Sequence, residues 1–293
     1  MDLALLAFAI LGLSQAALMI RVAHAPIEVI GFWRQLIATA ALAPFAWRRR
    51  SSWTALTPKE RAALPLAALL FFIHLWTFTY ATQTTSVAHT MIGFELHPLV
   101  TGAGAMLFFG EALSARVFVA WALAGAGMGA LLLGTTQGTA TPLGDAAAVL
   151  SAASFSGYVL LGKSSRRRLD NWVFAFAMSA LNCAFFLLAG WLRGVAWLPQ
   201  PPMFWLSMAG LVAFVSIGGH GIFTHLLATM DVNALSCAKL SEPALAAVGA
   251  WLVFGEHLTP RTLAAFTLVT CAVLVLLLPR RGAPALPPAE LEE

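Results

Sequence analysis

The sequence predicts an all-α integral membrane protein of ten transmembrane helices, arranged as two inverted five-helix repeats. Three observations carry that prediction: the composition, the spacing of apolar segments, and a stretch that occurs twice. Charged residues are 10% of the 293-residue chain and hydrophobic residues 60%. Its mean hydropathy is +0.82. An ordinary soluble domain carries about 25% charged residues. So few charges cannot cover a surface in water, so the bilayer must be the solvent.

Each span needs about 20 apolar residues to cross ~30 Å of hydrocarbon. Ten segments meet or approach that length, at about 3–20, 29–47, 63–80, 87–109, 115–133, 145–161, 173–191, 204–228, 232–254 and 262–278. The first lacks a basic leader region and reads as a retained helix. RRRSSWTALTPKER, at 48–61, punctuates the second and third. WLPQPPM, at 197–203, separates the seventh from the eighth. This spacing predicts a first repeat at 1–138, a second at 139–279, and a disordered Pro-rich, acidic cytoplasmic tail at 280–293.

Lys and Arg report topology in such a chain. With the N-terminus in the cytoplasm and the spans alternating, 12 of the 17 basic residues fall inside and 3 outside. The outer three are Arg21, Arg193 and Arg261, while Arg34 and Lys239 fall within spans. Both termini are then cytoplasmic. Five spans per half is an odd number, so the second half starts from the opposite face. Inverted halves have two similar, oppositely facing conformations, which is the basis of alternating access.

The repeated stretch is HPLVTGAGAMLFFGEAL at 97–113 and EPALAAVGAWLVFGEHL at 242–258, without a gap. Eight of its seventeen positions are identical, among them Pro98/Pro243, Gly104/Gly249 and Glu111/Glu256. These residues resemble the drug/metabolite transporter superfamily, as two EamA-type domains covering nearly the whole chain. The sequences around FELHPLV and KLSEP look most like the bacterial aromatic amino acid exporter branch. That resemblance implies a bacterial inner-membrane exporter of amino acids and related small metabolites, aromatic ones favoured. It also implies a substrate path between the halves, lined mainly by the third, fourth, sixth, eighth and ninth helices.

The candidate site residues follow from the cost of polar groups in lipid. Each ionisable group at mid-span costs about 2.5–3.5 kcal/mol on insertion scales. Glu95, Lys239 and Glu242 are such groups, and Lys239 and Glu242, three apart, share a helix face. They read either as ligands for a substrate's carboxylate and amine or as an internal ion pair. On the third helix, His74 and Trp76 read as cavity lining. Tyr80 fits the cavity or an interfacial belt. Gln15 on the first helix and Tyr158 on the sixth are further substrate candidates, while Ser151 and Ser154 read as packing groups. His97 joins the candidate site, although each histidine taken singly also reads as a satisfied core residue. Pro98 and Pro243 weaken their helices locally, as hinges or as packing features. Glu111 and Glu256 read as caps or gate residues at the membrane surface. Gly125 and Gly129 form a GxxxG close-packing device, within the bundle or between protomers.

The same reading excludes several classes. The net charge of +4 reports topology rather than nucleic-acid binding. Cys183, Cys237 and Cys271 lie in apolar stretches without a CxxC pair, so no disulfide or metal site is expected. The chain carries no HExxH or GxSxG motif. A cofactor-free carrier of small molecules in a bilayer is the expectation, for which a monomer suffices. A multidrug or other metabolite transporter of the same fold is the alternative, with an intramembrane enzyme or a channel behind it.

Overall fold

The structure is a computed structural model that describes residues 2–97, 99–101, 103–104, 115–132, 141–165, 169–222, 242–256 and 258–277. Among them there are helices and no strands. In order they are α1 (Asp2–Ser14), α2 (Ala16–Val22), α3 (Ile27–Arg48), a 3-10 turn (Arg50–Ala55), α4 (Pro58–Thr84), α5 (Val87–Phe94) and α6 (Ala115–Leu132). Then come α7 (Pro142–Ser165), α8 (Asn171–Arg193), α9 (Pro202–Gly210), a π-helix (Leu211–Gly221), α10 (Glu242–Phe254) and α11 (Pro260–Leu277). Six stretches of described helix are long and apolar enough to cross a membrane: Ala4–Val22, Ile27–Arg48, Pro58–Thr84, Pro142–Leu161, Asn171–Arg193 and Pro202–Gly219.

Local chemistry sets the boundaries. Thr57 and Glu60 form a capping box at the start of α4: the Thr57 side chain accepts from the Glu60 N–H and the Glu60 carboxylate accepts from the Thr57 N–H. Ser86 caps α5 by accepting from the His89 N–H, and Asp170 caps α8 by accepting from the Trp172 N–H. Three expected spans are interrupted. The first tightens at Gln15, whose N–H bonds to the Gly12 carbonyl, dividing α1 from α2. The fourth breaks at Glu95 and Leu96, before Pro98. The eighth changes from α to π geometry at Leu211, where the Ser216 hydroxyl donates to the Leu211 carbonyl at 3.2 Å.

The helices pack in pairs: α4 on α7, α3 on α8, α6 on α11, and α1 on the π-helix. Short α5 lies against both α7 and α10. Two repeat glycines permit the inner contacts. A Cβ on Gly104 would sit 2.4 Å from the Leu160 side chain of α7. One on Gly249 would sit 2.6 Å from the Leu18 side chain of α2. Both distances are well inside van der Waals contact, so a side chain there requires the facing leucine to move.

Outward faces are apolar. Leu188, Trp191 and Leu192 on α8, and Trp251 and Leu252 on α10, are each more than half exposed. Such patches are a liability in water and the expected surface in lipid. The GxxxG reading within the bundle needs correction. A Cβ at Gly125 or Gly129 meets nothing within 4 Å, whereas one at Gly127 would touch Val269 and Leu268 of α11. The face of α6 that approaches its partner is thus the one bearing Gly127.

Candidate functional site

His74 sits near the middle of α4, where a histidine must find a polar partner or cost stability. Its Nδ1 lies 2.8 Å from the Ser151 hydroxyl of α7. Phe71, Phe78, Phe94 and Phe155 surround the imidazole at centroid distances of 5.0 to 5.9 Å. His97 continues the cluster, stacked on Phe94 at 4.9 Å and edge-on to Phe155 at 5.3 Å. Tyr158 closes it against Phe71 at 4.6 Å. Three of the expected residues, His74, His97 and Tyr158, therefore share one aromatic cage between α4, α5 and α7.

The helix break beside the cage has a covalent cause. Pro98 has no N–H, so the carbonyl of Phe94, four residues earlier, loses its helical donor. The His97 Nδ1 lies 3.1 Å from that carbonyl. A carbonyl only accepts, so Nδ1 carries the hydrogen. In turn the His97 carbonyl accepts from the Ser156 hydroxyl at 2.9 Å. The break thus presents Glu95, 4% exposed, at the end of α5. Glu95 and Pro243 line a small cavity with Ile92, Phe266, Val269 and Thr270. Glu242, next to Pro243 on α10, is also 4% exposed. Gln15 lies at the α1–α2 break, its amide donating to the Ser14 hydroxyl at 2.9 Å. Its Oε1 would be 3.7 Å from a Cβ on Gly249. Pro98, Lys239 and Glu111 lie outside the described residues.

Trp76 and Tyr80 lie elsewhere. Their rings stack in parallel, 5.7 Å apart, and the Trp76 indole donates to Glu28 of α3 at 3.1 Å. Sequence reasoning missed Glu28, because the segment was taken to begin at 29. Its side chain is fully buried and also accepts from Arg193 at 2.7 Å. The signal was available: an acid in the first turn of a helix is favoured by the helix dipole. The phenylalanines of the cage were missed too, since apolar residues in a membrane segment carry no mark of position.

One end of the bundle, the end that holds Thr85, is tied by ion pairs. Arg21, at the end of α2, pairs with Glu256. Arg21 also reaches the Thr85 carbonyl and lies over the Phe254 ring. The other Glu256 oxygen accepts from the Val87 N–H at 3.1 Å, in the first turn of α5. His89, in the same turn, meets both Asp145 oxygens at 3.0 and 3.1 Å, and the Thr85 hydroxyl donates to Asp145 at 2.7 Å. The expectation that Glu256 caps or gates is thereby given a geometry. His89 and Asp145 were not anticipated.

Six described helices long and apolar enough to cross a membrane, around a polar and aromatic interior, fit a membrane transporter. The EamA-like transporter family model matches residues 2–133 and again 142–278, and the chain belongs to that family. An uncharacterized transporter of Pseudomonas aeruginosa is 24% identical over 253 residues, 83% of this chain and 80% of that protein. A solved chain described only as "Crystal structure of protein" superposes with a TM-score of 0.63 at 20% identity, covering 94% of this chain and 96% of the other. At that identity the likeness speaks for the fold alone.

Proposed function

We propose that this transporter exports amino acids, aromatic ones favoured, and related small metabolites across a bacterial inner membrane by alternating access. The carrying observation is the cage around His74. Rings of Phe71, Phe94, Phe155 and Tyr158 beside an imidazole suit an aromatic side chain. The buried carboxylates Glu95 and Glu242 suit the amino end of such a solute, and Lys239 its carboxylate.

The architecture in this reading is ten helices in two inverted repeats, at 1–138 and 139–279, with both termini cytoplasmic. The helix pairing supports it. Exchanging each span with its counterpart in the other half turns the α4–α7 pair into the α1–π-helix pair, and leaves α3–α8 and α6–α11 unchanged. Two matches to one family model support it as well. The Thr85 end then faces outward and is closed, and the carrier requires neither cofactor nor second protomer.

The test is counterflow into proteoliposomes loaded with unlabelled Phe, with labelled Phe, Thr and Lys offered outside. Saturable Phe accumulation is expected, well above Thr and Lys. No uptake of any amino acid by folded protein would sink this reading.

A further inference from the structure

Each ion pair described above joins a residue of segment 2–133 to one of segment 142–278: Arg21 to Glu256, His89 to Asp145, and Glu28 to Arg193. Two of them converge on a single turn. The first turn of α5 is held by Glu256 at the Val87 N–H and by Asp145 at His89. Both carboxylates sit at the positive end of the α5 dipole. From that turn, α5 runs directly to Glu95 and His97, the candidate substrate residues.

Of the three pairs, only His89–Asp145 contains a group that ordinarily changes charge between pH 5 and 8. Its side chains are 14% and 6% exposed, so the pair is shielded yet reached from one end. We propose that His89, with Asp145 and Thr85, is a proton-binding site at the outer end of the transporter. A proton from the outer medium binds the imidazole nitrogen that is free of hydrogen, forming one N–H bond. The resulting imidazolium pairs with the Asp145 carboxylate and draws α5 onto α7, so proton uptake closes this end. Loss of that proton leaves a neutral ring whose Nδ1–H bonds the carboxylate more weakly, and the end opens more readily.

The surroundings fix the sign. Asp145 faces His89 from α7, and Glu256, beyond α10, faces the neighbouring Val87 N–H. Arg21 of α2 is bound to Glu256 and to the Thr85 carbonyl. On α4, Tyr80 stacks on Trp76, and His74 is bound to Ser151 further along the helix. Arg261 at the start of α11 is exposed. Glu95, His97 and, on α10, Glu242 belong to the opposite reach of α5. Asp145 is thus the carboxylate in contact with the ring, and protonation gains an ion pair. The closed state is favoured as the outer pH falls and is lost as it rises.

This inference rests on the transporter reading for its outer face, and its test is independent of the substrate. Spin labels at His24 and Leu143, both exposed at this end, would report its opening in full-length protein in nanodiscs at pH 5.5 and 8. Wild type is expected to shift several-fold toward the longer distance at pH 8. His89→Gln should lose that dependence, and Asp145→Asn should lose it or reverse it, because the imidazolium would then lack its counter-charge. A wild-type distribution that does not change with pH would overturn the proposal. So would an unaltered pH response in both variants. A pH-dependent distance together with absent amino acid uptake would support the proton site and sink only the substrate reading.

Discussion

The Thr85 end and the middle of the bundle are held together by different chemistry. At the Thr85 end, charges meet across the two family-matching segments: Arg21 with Glu256, His89 with Asp145, Arg193 with Glu28. In the middle, rings pack on rings around His74, with one 2.8 Å contact to Ser151. Charge pairs are directional and fail together when two surfaces separate. Aromatic contacts are apolar packing in offset or edge-to-face geometry, which a ligand's ring can also adopt. The contrast fits a molecule in which one end opens while the middle accepts a guest.

The strongest way to break this comparison is at the middle. Glu95→Gln keeps the shape and removes the charge. Counterflow is expected to fall tenfold or more, with the labelled Thr85 end as closed as before. Equal transport would remove Glu95 from the substrate path. Next is Glu256→Gln, which weakens the pairing with Arg21. Breaking a buried pair costs about 3–5 kcal/mol, and these side chains are 15% and 18% exposed, so a somewhat smaller loss is expected. Thermal unfolding in detergent measures it. The reversal Arg21→Glu with Glu256→Arg should recover only part, because an arginine cannot accept from the Val87 N–H.

A finer test separates ring packing from hydrogen bonding within the middle. His97→Phe keeps a ring against Phe94 but leaves the Phe94 carbonyl without the donor that Pro98 cannot supply. An unsatisfied buried acceptor costs about 1–3 kcal/mol, again read from unfolding. His97→Gln, which retains a donor, should lose less. If His97→Phe unfolds like wild type, another donor reaches that carbonyl. The last pair is mixed, because the Arg193 side chain is 61% exposed. Its partner Glu28 is fully buried, however, so Arg193→Gln takes the cation from a buried carboxylate and a loss of about 1–3 kcal/mol is expected from the same unfolding measurement.

The sequence made a multi-pass membrane protein, six of its spans and the family legible, because composition and segment length are properties of the chain alone. It also marked His74, His97 and Tyr158, which the fold brings into one cage, since polar groups in apolar helices stand out. Other features depend on tertiary neighbours and were hidden. Glu28 and Asp145 lie in the first turns of their helices, where an acid reads as an ordinary end residue until a partner arrives. The division of α1 from α2 at Gln15 has no proline to announce it. Trp76 and Tyr80 keep the common helix face that their spacing predicts, but that face turns to Glu28 and Phe186 rather than to the His74 cage.

The pairing of charges at the Thr85 end has an electrical consequence. One elementary charge crossing a 100 mV potential exchanges about 2.3 kcal/mol with the field. Arg21 with Glu256, and Arg193 with Glu28, each sum to zero, so rearranging them moves little net charge. A proton arriving at His89 is different, because it carries one elementary charge from the outer solution into that layer, where Asp145 balances it. Voltage would then act on this carrier chiefly through that proton, and gating currents, if measured, would follow the acidity of the outer solution.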